Sequence, residues 1–101
     1  MIVVRFRVQV GPEQAGEVRS ALAAAMRASR AVEGVVSFDV GRDVADPCAF
    51  FAVEVFEDRD ALARQESLPE VRAVLDLLPG AVTAAPEATV YEVSSAESHG
   101  G

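Results

Sequence analysis

Few side chains in this sequence are equipped for chemistry, and two apolar stretches carry the most suggestive ones. Residues 2–10 read Ile-Val-Val-Arg-Phe-Arg-Val-Gln-Val. From Val4 the alternation is strict, with Val4, Phe6, Val8 and Val10 on one side and Arg5, Arg7 and Gln9 on the other. The second stretch, Phe50-Phe51-Ala52-Val53-Glu54-Val55-Phe56, holds a single carboxylate. Burial there would raise Glu54 into the range of a general base, and Arg5 or Arg7 could hold the anion left when a proton is taken. A structural alternative uses the same residues. Arg5, Arg7, Gln9, Ser37, Asp39 and Glu54, joined by Tyr91 or Glu92, would form an ion-pair network buried where two sheets meet.

What the sequence lacks narrows the chemistry further. Lys, Asn and Trp do not occur, and the single His, His99, lies near the C-terminal end beside Gly100-Gly101. The lone Cys48 has no nearby His or Lys to lower its pKa, so it reads as an inert thiol. No Cys or His pair has zinc spacing, so no metal site is expected. The seven glycines form neither a dinucleotide fingerprint nor a P-loop. Phe50 and Phe56 could stack on nucleobases, but a net charge of −7 opposes a phosphate backbone.

The elements that must position these residues follow from periodicity. Residues 2–10 form a strand ended by Gly11-Pro12, and Ala15, Val18, Leu22, Ala25 with Met26, Ser29 and Val32 trace one stripe of a helix between Glu13 and Val32. Gly34 supplies a left-handed cap after it. Val35–Asp43 and Cys48–Glu57 form a hairpin around Asp46-Pro47. Val36, Phe38 and Val40 fall on the side of Val4, Phe6 and Val8. Phe50, Ala52, Glu54 and Phe56 are assigned to the opposite, semi-polar side with Val3 and Val35. Asp58 N-caps a short helix, Ser67-Leu68-Pro69-Glu70 has capping-box spacing for a second, and Ala88–Val93 is a last strand.

The order is strand, helix, strand, strand, helix, strand: an α+β, ferredoxin-like βαββαβ arrangement with a four-stranded antiparallel sheet and helices on one face. At 101 residues, half of them apolar, the chain is one domain over residues 1–93, with a loose tail over residues 94–101. The apolar set Val4, Phe6, Val8, Val36, Phe38 and Val40 is assigned to the helix side. The other face, with Val3, Val35, Phe50 and Phe56, has too much apolar area to leave wet, which predicts a homodimer packed sheet to sheet. The acidic balance, nine Arg against sixteen Asp and Glu, disfavours nucleic acid and membrane surfaces as partners. Arg5 and Arg7 interrupt the only N-terminal run that could act as a signal segment, and one unpaired Cys fits the cytoplasm.

Over residues 2–93 the layout resembles the antibiotic biosynthesis monooxygenase family of dimeric α+β barrels. The residues that carry the likeness are Gly11-Pro12-Glu13 after the first strand, Glu33-Gly34-Val35-Val36-Ser37-Phe38-Asp39, Arg42-Asp43 with Asp46-Pro47, Glu54-Val55-Phe56-Glu57-Asp58, Ala61-Leu62 and Val90-Tyr91-Glu92. Family members carry His where Gln65 and Glu70 stand here, and Trp where Phe56 stands. The positions matching the haem-degrading branch hold Arg5, Gln65 and Leu75, so haem ligation is not expected. The resemblance implies instead a cofactor-independent monooxygenase acting with O2 on a small aromatic, polyketide-like or quinol ligand, with no metal or flavin. Glu54 would be its base and Arg5 and Arg7 its anion holders. Phe6, Met26, Phe38, Phe51 and Phe56 would wall the pocket, with Gln65 and Tyr91 completing it. A non-catalytic binding or stabilising protein, and a non-oxidative isomerase or cyclase, use the same scaffold.

Overall fold

The strand periodicity read from the sequence is realised in four strands, and the pairing between them decides which side chains meet. The computed structural model describes residues 1–100; of the tail assigned to residues 94–101, Gly101 lies outside them. The elements are β1 (Ile2–Gln9), α1 (Ala15–Arg30), β2 (Val35–Arg42), β3 (Ala49–Phe56), α2 (Arg59–Glu66), α3 (Pro69–Leu77), a 3-10 turn over Leu78–Gly80, and β4 (Glu87–Glu92). The sheet is antiparallel throughout, in the order β2-β3-β1-β4. This is the ferredoxin-like arrangement expected from the sequence. No helix among the described residues is long and apolar enough to cross a membrane.

β1 and β3 run in unbroken register, with Ile2 opposite Phe56, Val4 opposite Glu54, Phe6 opposite Ala52 and Val8 opposite Phe50. Residues directly opposite one another in an antiparallel pair point to the same face. That face is the one the helices cover. Val8 and Phe50 pack with Val18, Leu22 and Ala25 of α1 and Val74 of α3. Ile2, Val4, Phe38 and Phe56 close a second cluster around Ala61 of α2. Full burial of side chains this size contributes roughly 1.5–3 kcal/mol each.

Three sequence-based assignments change here. Phe50, Phe56 and Glu54, placed on the uncovered face, lie under the helices, because β3 is apolar on both sides and its one charge, Glu54, lies in the set that turns inward. Val35 also packs against the covered cluster, and Val36 is exposed, because the β2–β3 ladder slips between Val35 and Ser37. The extra residue of such a bulge is pushed out of the alternation. The third is the capping box. Ser67 is the C-cap of α2, its hydroxyl donates to the Arg64 carbonyl at 2.7 Å, and the residue that precedes α3 as its N-cap is Leu68. Pro69 starts α3 unaided, at the position where its fixed φ suits a helix. The expected N-cap of α2 is present: the Asp58 carboxylate accepts the Ala61 N–H at 2.9 Å.

One glycine lets α2 seat itself on the sheet. Gly34 has φ +89, and a Cβ there would lie 2.6 Å from the Ala61 Cβ. Replacing it with Ala adds left-handed strain to a contact with buried atoms. G34A should lower unfolding stability by about 2–4 kcal/mol, read as a lower denaturant midpoint. A loss below about 0.5 kcal/mol would contradict the account of this junction.

Candidate active site

Between the covered face and the helices lies a cavity of about 320 Å³. Its floor is Val4 and Phe6 of β1, Phe38 and Val40 of β2, and Ala52 and Glu54 of β3. Leu62, Gln65 and Glu66 of α2 and Val71, Val74 and Leu75 of α3 form the roof, with Leu22 and Ala25 of α1 closing one side. Ala88 and Val90 of β4 lie at the other edge, where the strand is exposed. The volume is at the lower end of the range for small-molecule sites, and three polar side chains in an otherwise apolar lining is their usual composition.

Glu54 is the floor's single charged side chain. It is half-buried among apolar neighbours, and its pKa is pushed up to about 7, chiefly by burial and secondarily by the negative charge of Glu66. A carboxyl titrating there can take and return protons near neutral pH. Gln65 is the one uncharged polar side chain on the lining. It is buried, and its Nε2 donates to the equally buried Ser29 Oγ at 3.0 Å, tying α2 to α1. Ser29 sits on the apolar stripe of α1, where a buried hydroxyl needs a partner. That demand was the sequence signal for this pair, and sequence reasoning passed over it. It also passed over Glu66 and Leu62.

The structure brings together Glu54, Phe6, Phe38 and Gln65. It does not bring Arg5 or Arg7 to them. Both arginines belong to the other parity of β1, opposite Val53 and Phe51, and so stand on the open face. Arg7 Nη1 reaches Asp43 Oδ2 at 2.8 Å. The Asp43 carboxyl is held below its ordinary value by the Ala45 N–H and then by this guanidinium. Arg5 donates weakly to the Tyr91 hydroxyl at 3.4 Å. Phe51 is also on the open face, where its ring lies over Gly41; a Cβ there would be 2.6 Å from the Phe51 Cζ. Phe56 is completely buried in the core. Met26 lines a separate groove of about 200 Å³ between α1 and β2. The expected constellation of base and arginines is therefore split across the sheet: strand parity forbids neighbouring residues 54 and 5, on adjacent strands, from facing the same way in this register.

Around Arg5 and Arg7 the open face holds a second hollow of about 520 Å³, lined also by Phe51, Val53, Glu87 and Thr89. Among the described residues, no three His, Cys, Asp or Glu side chains are grouped to hold a metal ion.

The family model described as antibiotic biosynthesis monooxygenase matches residues 1–77. Solved structures share the fold over nearly the whole chain. One from Deinococcus radiodurans, bearing the same family name, is 25% identical with a TM-score of 0.89, and all of each chain is covered. One from Nitrosomonas europaea, again of that family name, is 17% identical with a TM-score of 0.85, covering 94% of this chain and 100% of the other. A Mycobacterium tuberculosis protein is 21% identical with a TM-score of 0.86, covering 96% and 98%. No curated protein matches the chain.

The raised Glu54 carboxyl has a sign that stability measurements can read. Its folded pKa, about 7, lies above the unfolded value of 4.5. Its contribution is therefore fully present below the unfolded value and is lost as pH rises through the folded one. E54Q should be nearly neutral at pH 4 and should stabilise the fold by roughly 3 kcal/mol above pH 8. Urea melts of both proteins across that range check this, and a pH-independent difference would contradict it.

Proposed function

The chain belongs to the antibiotic biosynthesis monooxygenase family, and from that premise we propose that it is a cofactor-independent monooxygenase oxidising a small electron-rich aromatic, polyketide-like or quinol molecule with O2 in the helix-side cavity. The observation that carries the reading is Glu54, a carboxyl poised near neutrality on the floor of an apolar cavity of ligand size. The Glu54 carboxylate takes a benzylic or phenolic proton. The resulting carbanion or phenolate is the reductant, and O2 is the oxidant. For a ring methylene, the C–H bonds give way to C=O, one oxygen atom staying in the product and the other leaving as water. The substrate supplies the electrons. The chain supplies the base, an apolar lining whose partial burial of the carboxyl strengthens it, and Gln65, pinned by Ser29, as a neutral polar contact.

A second reading, the non-oxidative isomerase or cyclase, draws support from the same carboxyl, since a group with pKa about 7 returns a proton as readily as it takes one. Oxygen uptake separates the two. With an anthrone or hydroquinone as substrate, E54Q should reduce kcat/KM by about 10²–10⁴-fold. R5A, on the opposite face, should change it by no more than about threefold. Turnover unaffected by E54Q would contradict the proposal, and turnover without O2 consumption would favour the isomerase reading.

The open face supports a second element of the proposal, a homodimer joined sheet to sheet. Val36 (56% exposed), Phe51 (40%), Val53 (38%) and Tyr91 (40%) leave large apolar side chains facing out. Covering such a patch with a second copy is the commonest solution. Sedimentation should give twice the mass of the chain, and V53D should give a folded monomer by circular dichroism. A wild-type protein that sediments as a monomer at micromolar concentration would contradict the dimer.

A further inference from the structure

The cavity walls carry charge of one sign only. Its charged side chains are Glu54 and Glu66, and none of the chain's nine arginines lines it. Many of the arginines are engaged elsewhere. Arg7, Arg30 and Arg59 pair with Asp43, Asp39 and Glu92, Arg42 lies over the Phe50 ring, and Arg64 donates to the Glu33 carbonyl. Across the lining contributed by all four strands and α1, α2 and α3, Glu54 and Glu66 are the only titratable groups. Neither is held in an ion pair among the described residues.

An anionic ligand entering this space would lose water and find no cation. It would also face a carboxylate that must itself be ionised to act as base, so its charge and that of Glu54 would share one apolar lining, with the exposed Glu66 adding a third negative charge at the rim. A neutral substrate avoids this. Proton transfer from it to Glu54 moves a charge between two atoms of the cavity without adding one. From this arrangement, and resting on the reading of Glu54 as base, we infer that the cavity selects uncharged or amine-bearing aromatic molecules and excludes those carrying a carboxylate, sulfonate or phosphate.

A matched series tests this by binding, without turnover. Naphthylmethanol, naphthylmethylamine and naphthoate share shape and differ in charge. Calorimetric titration at about pH 8.5, with Glu54 ionised, should place the amine tightest and the carboxylate about tenfold or more weaker than the alcohol. At about pH 5.5, with Glu54 protonated, the advantage of the amine over the alcohol should shrink. E66Q should strengthen naphthoate binding more than it changes binding of the alcohol. Naphthoate binding as tightly as the alcohol overturns the inference, and so does the lack of saturable binding by all three. Neither result bears on the base itself, which the E54Q oxygen-uptake measurement tests separately. Conversely, a charge-ordered series with no oxygen uptake would retain the selectivity and remove the monooxygenase reading.

Discussion

Eight consecutive residue pairs join β1 to β3 in antiparallel register, and the rest of the molecule takes its sidedness from them. Because side chains alternate at period two, a slip of one residue would exchange every inward and outward group of the strand that slipped. The register is strongly specified. Slipping β1 by one residue against β3 would turn Ile2 and Val8, both nearly or fully buried, to solvent, and would turn Arg5 and Arg7 under the helices, at a penalty of several kcal/mol for each unpaired charge. The same constraint that places the arginines on the open face brings Glu54 under the helices opposite Val4. An unpaired carboxyl accepts partial burial under the helices more readily than an unpaired guanidinium, since it can become neutral by taking a proton.

That difference divides the sheet into two chemical surfaces. The covered face has a cavity whose polar content is two carboxyls and one amide. The open face holds arginines, partnered carboxylates and exposed apolar side chains. α2 and α3 give the cavity its roof, and small details fix them in place. Asp58 starts α2 directly beyond β3, Gly34 lets Ala61 approach, and the Gln65–Ser29 hydrogen bond locks α2 to α1. Removing either partner of that buried bond would leave the other unsatisfied, at a penalty of about 1–3 kcal/mol. The proton chemistry proposed for Glu54 therefore depends on the packing that encloses it.

Most of the architecture was legible in the sequence. Strict alternation in β1, the stripe of α1, the Asp58 cap and the left-handed Gly34 all express local rules, and the element order then dictates the ferredoxin-like sheet. The site was legible only in part. Glu54, Phe6, Phe38 and Gln65 could be named, yet their grouping with Arg5, Arg7, Phe51 and Tyr91 required knowing the inward side of β3. Its sequence alternates Phe50, Ala52, Glu54 and Phe56 against Phe51, Val53 and Val55, and the one charge, Glu54, lies in the set that turns inward, so alternation by itself points to the wrong side. The pairing partner decides, and that is a tertiary fact. Val36 was misplaced for a related reason, since a bulge breaks the count on which alternation relies. Ser67 fits two local rules at once, and the end of α2 claimed it before the start of α3 could.

The central claim is that small ligands enter the helix-side cavity and that Glu54 meets them there, away from the arginines. Methyl-resolved NMR during titration with a neutral aromatic ligand distinguishes the two faces in one experiment. The account predicts shifts confined to the methyls of Val4, Leu62, Val74, Leu75 and Val90, which line the cavity. Shifts centred on Val3, Val53 and Val55, on the strand parity of Arg5 and Arg7, would place the ligand on the open face and contradict it.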